Sequence, residues 1–558
     1  MRPTEAPPAS SIRSACTVVL LRDASCGLEV LLLRRNPNAK FMPGFHVFAG
    51  GAVGSEDREE RATSRVTGID DTEASQRLGI ESDGLRYLLA GVRETFEECG
   101  MLLAVDEASG ELDAAHWAAA IADREALNAG TLPFVNFLEK HRLVVPGDAL
   151  VYFDHWLTPA GRARRFDTRF FLARAPQGQS ATHDQAEIVD ARWLRPRDAL
   201  EMAKRKEIDL ANATEATLAM LAERGTVEEA LERARSLQDI EPNRPCTAQG
   251  SAGPRVFHRT DAAYHEVHWC DPAESMQTTY DLLPGSLKRL DRWVARIIAP
   301  NRGPMTGPGT NTYFVGSGEL AVIDPGPLDE RHLAALIAHG AGRVRWILST
   351  HTHRDHSPAA ARLAAATGAE VIGMPPPADP RHDATFAPDR IVRDGELIEL
   401  GEVTLMAIHT PGHASNHLCF RLAQTGMLFT GDHVMQGSTV VIAPPDGDMQ
   451  VYLDSLRRLL SLDIAIMAPG HGYLIGRPHR EVRRLIEHRL WREARVLQAV
   501  RTRGRATAEE ILDDVYPDVM PVLRGPAAQS LAAHLRKLIA DGAVAVKEGR
   551  YRPVASVA

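Results

Sequence analysis

The densest chemistry in the sequence is the string His351-Thr352-His353-Arg354-Asp355-His356, four metal-competent side chains in six residues directly after the apolar run VRWIL. A single histidine there would usually be a satisfied core residue; four at this spacing leave little room for that reading. Three later segments repeat the layout of apolar run, then ligand. EVTLMAI leads into HTPGH, ending at His413; GMLFT leads into Gly431-Asp432-His433; DIAIMA leads into Pro469-Gly470-His471-Gly472. Glycines beside Asp432 and His471 let the backbone turn sharply where a ligand must be presented. The donors are nitrogen and oxygen only, which suits Zn²⁺, with Mn²⁺ or Fe as alternatives. His409, His417 and His433 lie close in sequence and read as supporting residues.

A second constellation uses oxygen alone. In LRYLLAGVRETFEECGMLL, Glu94, Glu97 and Glu98 fall at i, i+3 and i+4 and share a helical face, while Leu88, Leu89, Val92 and Phe96 form the opposite one. Like charges on neighbouring turns repel by a few tenths of a kcal/mol per pair. A hard cation such as Mg²⁺ or Mn²⁺, with phosphate as co-ligand, would offset that. A solvated acidic face paired with Arg93 is the competing interpretation of these three residues.

The elements that must position these groups follow from pattern. A helix is predicted from about Gly84 to Leu103, with Gly100 as a stop. From about Arg292, short β-branched runs alternate with Ala/Leu-rich helices, an α/β pattern that sets ligands at the ends of several strands. Residues 240–257 concentrate Pro, Gly and Ser and read as a linker. The six cysteines are scattered with no C-x-x-C pair, against a disulfide framework or a thiolate metal site. No apolar run of about 18 residues exists, so no membrane span is expected, and a cytoplasmic location fits. With Lys+Arg 64 against Asp+Glu 73, the net charge of −9 argues against a chain coated in nucleic acid.

The string from Arg93 to Met101 resembles the second half of the Nudix box, and HVFAGGAVGSED resembles the first, with Gly51 opening it and Asp57 where glutamate is usual. Gly51 and Arg93 are 42 positions apart, against 14 in an uninterrupted box, an insertion of 28 residues. LLLRRNPNAKFMPGFHVFAGG and HWLTPAGRARRFDTRFFLA are similar to the coenzyme A diphosphatase branch, whose box is similarly interrupted. The resemblance implies that Glu97 and Glu98 bind Mg²⁺ or Mn²⁺ and that Glu94 is the base or a further ligand. It also implies that Arg93 orients Glu94, that Gly51 and Gly100 bound the box, and that Glu187 is a candidate for an extra acid. The implied reaction is attack of an activated water on a small-molecule diphosphate.

The histidine-rich segments, with the Asp324-Pro-Gly turn after LAVI, resemble the motifs of the metallo-β-lactamase fold. By that resemblance His351, His353 and His413 hold one Zn²⁺, Asp355, His356 and His471 a second, and Asp432 bridges them; Asp355 also orients the attacking water. PMTGPGTNTYFVG, THTHRDHS and DMQVYLDSLRRLL are similar to the β-lactamase-like endoribonuclease family. In the tail, ATAEEILDDVY and SLAAHLRKLIADG read as helices and AVAVKEGRYRPV as a hairpin, an order resembling a winged helix. The arginines at 483–505 suit single-stranded RNA, or else a packing or dimerisation module pairing with Glu481, Glu487 and Glu493. No aromatic platform is evident among them.

The expected fold class is therefore α/β multidomain: a Nudix α/β/α sandwich over 10–237, a linker and connecting segment over 238–290, a metallo-β-lactamase αββα sandwich over 291–480, and a winged-helix-like tail over 481–558. The expected function is a bifunctional metal-dependent hydrolase, RNA phosphodiester cleavage in the second half and a coenzyme A-like or nucleoside diphosphate-linked substrate in the first. The alternative is a thioesterase of the hydroxyacylglutathione or acyl-coenzyme A type, with the Nudix half a non-catalytic ligand-binding module. Single-stranded RNA and a second copy of the chain are candidate partners.

Overall fold

The computed structural model describes residues 12–39, 42–160, 164–184 and 186–554. The proposed start at residue 10 and the last four residues lie outside them. The chain divides into two compact units, Met1–Pro245 and Cys246–Ala558. Among the described residues no helix is long and apolar enough to cross a membrane.

In the first unit, the apolar runs expected as strands build a mixed seven-stranded sheet. Its path runs Ile188–Leu194, Gly27–Arg35, Ile12–Ala24, Arg165–Arg174, Val151–Leu157, with Ala49–Ala52 pairing alongside Ile12–Ala24. Residues alternate between faces, so each side of the sheet carries its own core. One side packs the helix Leu85–Cys99 through Leu89, Val92 and Phe96, all fully buried. The other side packs helices Pro196–Lys204, Asn212–Leu221 and Val227–Arg235. This is the expected α/β/α sandwich. The box helix stops at Cys99, short of Leu103, because Gly100 adopts the left-handed conformation (φ 71°) that ends helices cleanly.

The second unit stacks two sheets. The seven-stranded sheet runs from Lys288–Arg289 through Val294–Ile298, Asn311–Val315, Leu320–Ile323, Val344–Leu348 and Glu370–Gly373 to Arg390–Ile391. The five-stranded sheet contains Leu397–Leu400, Val403–His409, Leu418–Leu422, Met427–Gly431 and Ile466–Pro469. Val294, Tyr313, Ile323 and Leu348 from one sheet meet Leu405, Phe420, Phe429 and Ala468 from the other. Helices Glu330–Gly340 and Ala360–Thr367 cover the first sheet, and Met449–Leu459 covers the second, completing αββα layering.

Helix Pro478–Arg503 leads to Ala508–Val515, Arg524–Ala540 and the hairpin Val544–Lys547/Arg550–Pro553, the order expected of a winged helix. The segment read as a connector behaves differently from a free linker. Residues 246–257 form a small hairpin, and helix Tyr264–Cys270 buries Glu266 completely against Arg296 of the central sheet. Cys246, Ala248 and Phe257 anchor the hairpin in the core, while Ser251, Ala252, Pro254 and Arg255 around its turn are exposed.

Candidate active sites

In the second unit, strand order brings distant ligands to one sheet edge. Val344–Leu348 ends just before His351, Val403–His409 before His413, Met427–Gly431 at Asp432, and Ile466–Pro469 before His471. Two clusters result. In His351, His353 and His413, one nitrogen from each converges: His353 Nδ1 lies 2.9 Å from His351 Nε2 and 3.0 Å from His413 Nε2. In Asp355, His356, Asp432 and His471, both His356 Nε2 and His471 Nε2 lie 3.4 Å from Asp432 Oδ1. Asp355 Oδ2 is 3.6 and 3.3 Å from the same two nitrogens. Asp432 faces both clusters, because its Oδ2 lies 3.9 Å from His413 Nε2.

The other ring nitrogens are held from behind. His356 Nδ1 contacts Asp324 Oδ2 at 2.9 Å, and Asp324 also accepts the Thr350 amide at 2.7 Å. His413 Nδ1 faces the Val441 carbonyl at 2.8 Å, and His471 Nδ1 that of Gly309 at 3.2 Å. Such contacts fix ring orientation and leave the inward nitrogen free. Burial holds His351, His353 and His413 below the usual imidazole range, which preserves the lone pair a cation needs. For His471 burial is outweighed by Asp432 and Asp355, which hold it up to about 9. That edge of the site attracts positive charge.

The residues fit a pair of cations. His356 Nε2, Asp432 Oδ1 and His471 Nε2 are buried without hydrogen-bond partners, an arrangement costly unless another group satisfies them. A Cβ on Gly470 would stand 2.7 Å from Asp432 Oδ1 and from His356 Cε1, so only glycine leaves the cradle open.

Sequence reasoning missed the groups behind His353. His382 lies tilted against it, ring centroids 4.4 Å apart, and spans from Thr352 Oγ1 (2.8 Å) to Asp446 Oδ2 (3.1 Å). No spacing announces this contact, because it depends on a loop folding back. Of the three nearby histidines, His417 stacks on His351 at 4.9 Å, His433 packs on Tyr452, and His409 contacts the Ser415 carbonyl.

In the first unit, the 28-residue insertion packs into the core beside the box helix, burying Ala62, Ala74 and Leu78 with Leu89 and Phe96, and the two halves of the box close in space. A Cβ on Gly51 would stand 2.4 Å from the Glu94 carboxylate. Arg93, nearly buried, is the hub. It donates to both oxygens of Asp57 at 3.1 Å, to Glu94 at 2.9 Å, to Glu97 at 3.0 Å and to the Ala52 carbonyl at 3.1 Å. The shorter Asp57 thus still binds the arginine bidentately. Glu98 accepts the Gly50 amide at 3.0 Å. Burial raises all three glutamates, Glu97 to about 7 despite Arg93, and Glu94 adds to the rise of both neighbours. Among the described residues these carboxylates do not converge as the histidine clusters do, since Arg93 draws two of them to itself. The oxygen-only set suits Mg²⁺ or Mn²⁺. Glu187 sits exposed, paired with Arg35 at 2.6 Å.

Comparison with known proteins gives three matches along the chain. Residues 69–218 match the NUDT19 Nudix domain, 305–471 the metallo-beta-lactamase superfamily, and 507–552 the beta-lactamase associated winged helix domain. A lactamase-like protein of Emericella nidulans is 29% identical over 298 residues, 50% of this chain and 92% of its own. The beta-lactamase-like protein 2 homolog of Caenorhabditis elegans is 29% identical over 267 residues, 46% of this chain and 88% of its own. The atrochrysone carboxyl ACP thioesterase of Aspergillus fumigatus is 32% identical over 242 residues, 40% of this chain and 73% of its own. Families of both hydrolase types generally bind divalent metals. With its paired histidine and aspartate clusters on an αββα scaffold, the chain is a hydrolase that belongs to the metallo-beta-lactamase superfamily, joined to an N-terminal Nudix domain of the NUDT19 type and a C-terminal winged helix.

Proposed function

We propose that the second unit is a two-metal hydrolase of thioesters and the first a diphosphatase of coenzyme A-like molecules. The observation that carries the reading is Asp432, whose two oxygens face two separate ligand clusters. His351, His353 and His413 would hold one ion, Asp355, His356 and His471 the other, and Asp432 both; two Zn²⁺ suit the donors, with Mn²⁺ or Fe as alternatives. Bound divalent cations supply Lewis acidity and a water acidified toward neutrality. The chain's own residues do the rest. Asp355 keeps 27% of its side chain exposed, so it can orient a water and accept its proton. Asp324, Val441 and Gly309 keep the imidazoles aimed.

The thioester assignment is supported by relatives named thioesterases, aligned across most of their own length. It reverses the order expected from sequence, where RNA led. A coenzyme A thioester contains both linkages, so the two units would act on one molecule class. In the first unit Glu97 and Glu98, with Glu94 as base or further ligand, would hold Mg²⁺ or Mn²⁺ against a diphosphate.

One observation favours single-stranded RNA as a second reading. Trp491 is half exposed, with Arg492 and Arg495 at 4.9 and 5.2 Å from its ring, an aromatic group set among cations. Against it, several tail arginines are already engaged: Arg484 with Glu481, Arg503 with Asp514, Arg505 with Glu548 and Arg524 with Asp513.

The test offers purified protein S-lactoylglutathione, acyl-coenzyme A, coenzyme A and single-stranded RNA, with Zn²⁺ or Mg²⁺. Asp432→Ala should abolish thioester cleavage and reduce bound zinc, while Glu97→Gln should abolish diphosphate cleavage alone. RNA cleavage lost in Asp432→Ala, without thioester turnover in wild type, would install the second reading. A diphosphatase untouched by Glu97→Gln would make the first unit's glutamates non-catalytic.

A further inference from the structure

We infer that Arg489 is a positioning residue through which the C-terminal helical tail sets the geometry of the histidine–aspartate site; the inference rests on the metal-centre reading above. Helix Pro478–Arg503 belongs to two cores at once. Val482 and Leu485 pack with Tyr452 and Leu453 of the hydrolase unit, whereas Val496 and Val500 pack with Leu512, Leu531 and Leu535 of the winged helix. Arg489 stands between these groups on the same buried stripe, only 3% exposed, although it carries a full charge.

Its guanidinium makes two contacts that lead to the site. It donates to the Val440 carbonyl. The next carbonyl along, Val441, is the acceptor facing His413 Nδ1 at 2.8 Å. Moving one peptide therefore moves the group that aims a metal-competent histidine. The second contact is with the Tyr452 ring, whose centroid lies 5.4 Å from the guanidinium carbon. The Tyr452 hydroxyl donates to the His433 carbonyl at 2.9 Å, one residue past Asp432. The Tyr452 backbone also presses against Gly412, where a Cβ would stand 2.3 Å from its Cα, one residue before His413. Arg489 and Tyr452 thus brace both His413 and Asp432, the two ligand positions that meet across the clusters at 3.9 Å.

The same loop carries further bracing. Asp446 contacts both His382 Nε2 and the Ser415 amide, and Asp448 donates its amide to the Gly412 carbonyl. Arg489 adds a polar tie between this loop and the helix that continues into the tail core, beside the core that Val440 and Ile442 share with Val482 and Leu485. A buried cation aimed at a carbonyl is an expensive way to fill space. A leucine would pack there; it would not hold the peptide.

The test is Zn²⁺ titration into the metal-stripped full chain, followed by the d–d spectrum of the Co²⁺-loaded protein. Arg489→Met should weaken at least one Zn²⁺ site by about 10–100-fold, the usual effect of removing a partner behind a ligand, and should shift the Co²⁺ bands. Arg489→Lys, which retains a donor for the Val440 carbonyl, should recover part of the loss. Leu531→Ala, which destabilises the tail core without touching the loop, should lower the melting temperature and leave Zn²⁺ affinity unchanged. Should Arg489→Met not fold, Tyr452→Phe carries the test and should weaken Zn²⁺ in the same sense. Wild-type affinity and spectrum in Arg489→Met, or in Tyr452→Phe where that variant carries the test, overturns the inference. So does an equal affinity loss in Leu531→Ala. If His413→Ala leaves Zn²⁺ binding unchanged, the metal-centre reading itself fails instead.

Discussion

Glu266 offers the sharpest test of how the second unit is held together. It is completely buried on helix Tyr264–Cys270 and accepts two bonds from Arg296, at 2.8 and 2.9 Å, and one from Lys288 at 2.6 Å. It also accepts the Leu474 amide at 2.9 Å, and Arg296 donates on to the Gly472 carbonyl at 3.2 Å. The triad therefore clamps the turn that presents His471. Burial works against its charge, yet Arg296 and Lys288 hold the carboxyl down to about 2, against an ordinary 4.5. A depression of that size corresponds to about 3 kcal/mol at neutral pH. Removing one partner of a buried pair costs about 3–5 kcal/mol, in agreement. Glu266→Gln should therefore raise hydrogen-exchange rates of the Val294–Ile298 amides by about 100-fold at pH 7, where those amides exchange through global opening of the unit. The sign with pH follows from the depressed value. The stabilisation is complete above about 4.5 and is lost as pH falls toward 2, so the gap between wild type and variant should narrow by about 2 kcal/mol at pH 3. Exchange within a few-fold of wild type at pH 7, or a gap constant with acid, would refute the claim that this ion pair anchors the unit.

Three further outcomes follow from close contacts. Gly51→Ala places a methyl 2.4 Å from the Glu94 carboxylate; the proposed diphosphatase activity should fall about 100-fold with little change in melting temperature, as measured by turnover and calorimetry. Asp57→Ala removes the bidentate partner of Arg93, which keeps Glu94 and Glu97, and should destabilise the first unit by about 3 kcal/mol in urea unfolding, whereas Asp57→Glu restores a carboxylate and should recover most of it. Chelation should lower the melting temperature of the second unit, and Zn²⁺ at about 1,000 times its Kd should return on the order of 4 kcal/mol.

Legibility in the sequence depended on how local the cause was. The strand-then-ligand layout is readable because each ligand follows its strand by a few residues, and convergence at one edge is a property of the sheet. The bridging role proposed for Asp432 came from family resemblance; in the fold its Oδ1 faces His356 and its Oδ2 faces His413. The interrupted box was recognisable from its two halves. Their reunion was not, since no local pattern in the intervening residues states that helices Glu60–Thr63 and Asp71–Leu78 bury Ala62, Ala74 and Leu78 in the core of the box helix. Glu266 stayed hidden for a similar reason. Its partner Arg296 lies 30 residues downstream in no motif, and the Pro- and Gly-rich stretch before it reads as a linker.

Arg489 is the instructive case, because a signal for it existed. Among the arginines of residues 483–505, composition makes all of them look alike, and the charge run suggests a solvated or nucleic-acid-facing surface. Periodicity separates them. Val482, Leu485, Arg489, Val496 and Val500 mark the buried side of one helix, so Arg489 occupies a place where an aliphatic residue belongs. A charge set into an apolar stripe is a stronger indication of a specific partner than any number of charges on the outer face, since burial is tolerated only when the group is satisfied. The partner here is a backbone carbonyl, which no sequence pattern encodes. The residue could thus be singled out from sequence, and its purpose only from the fold.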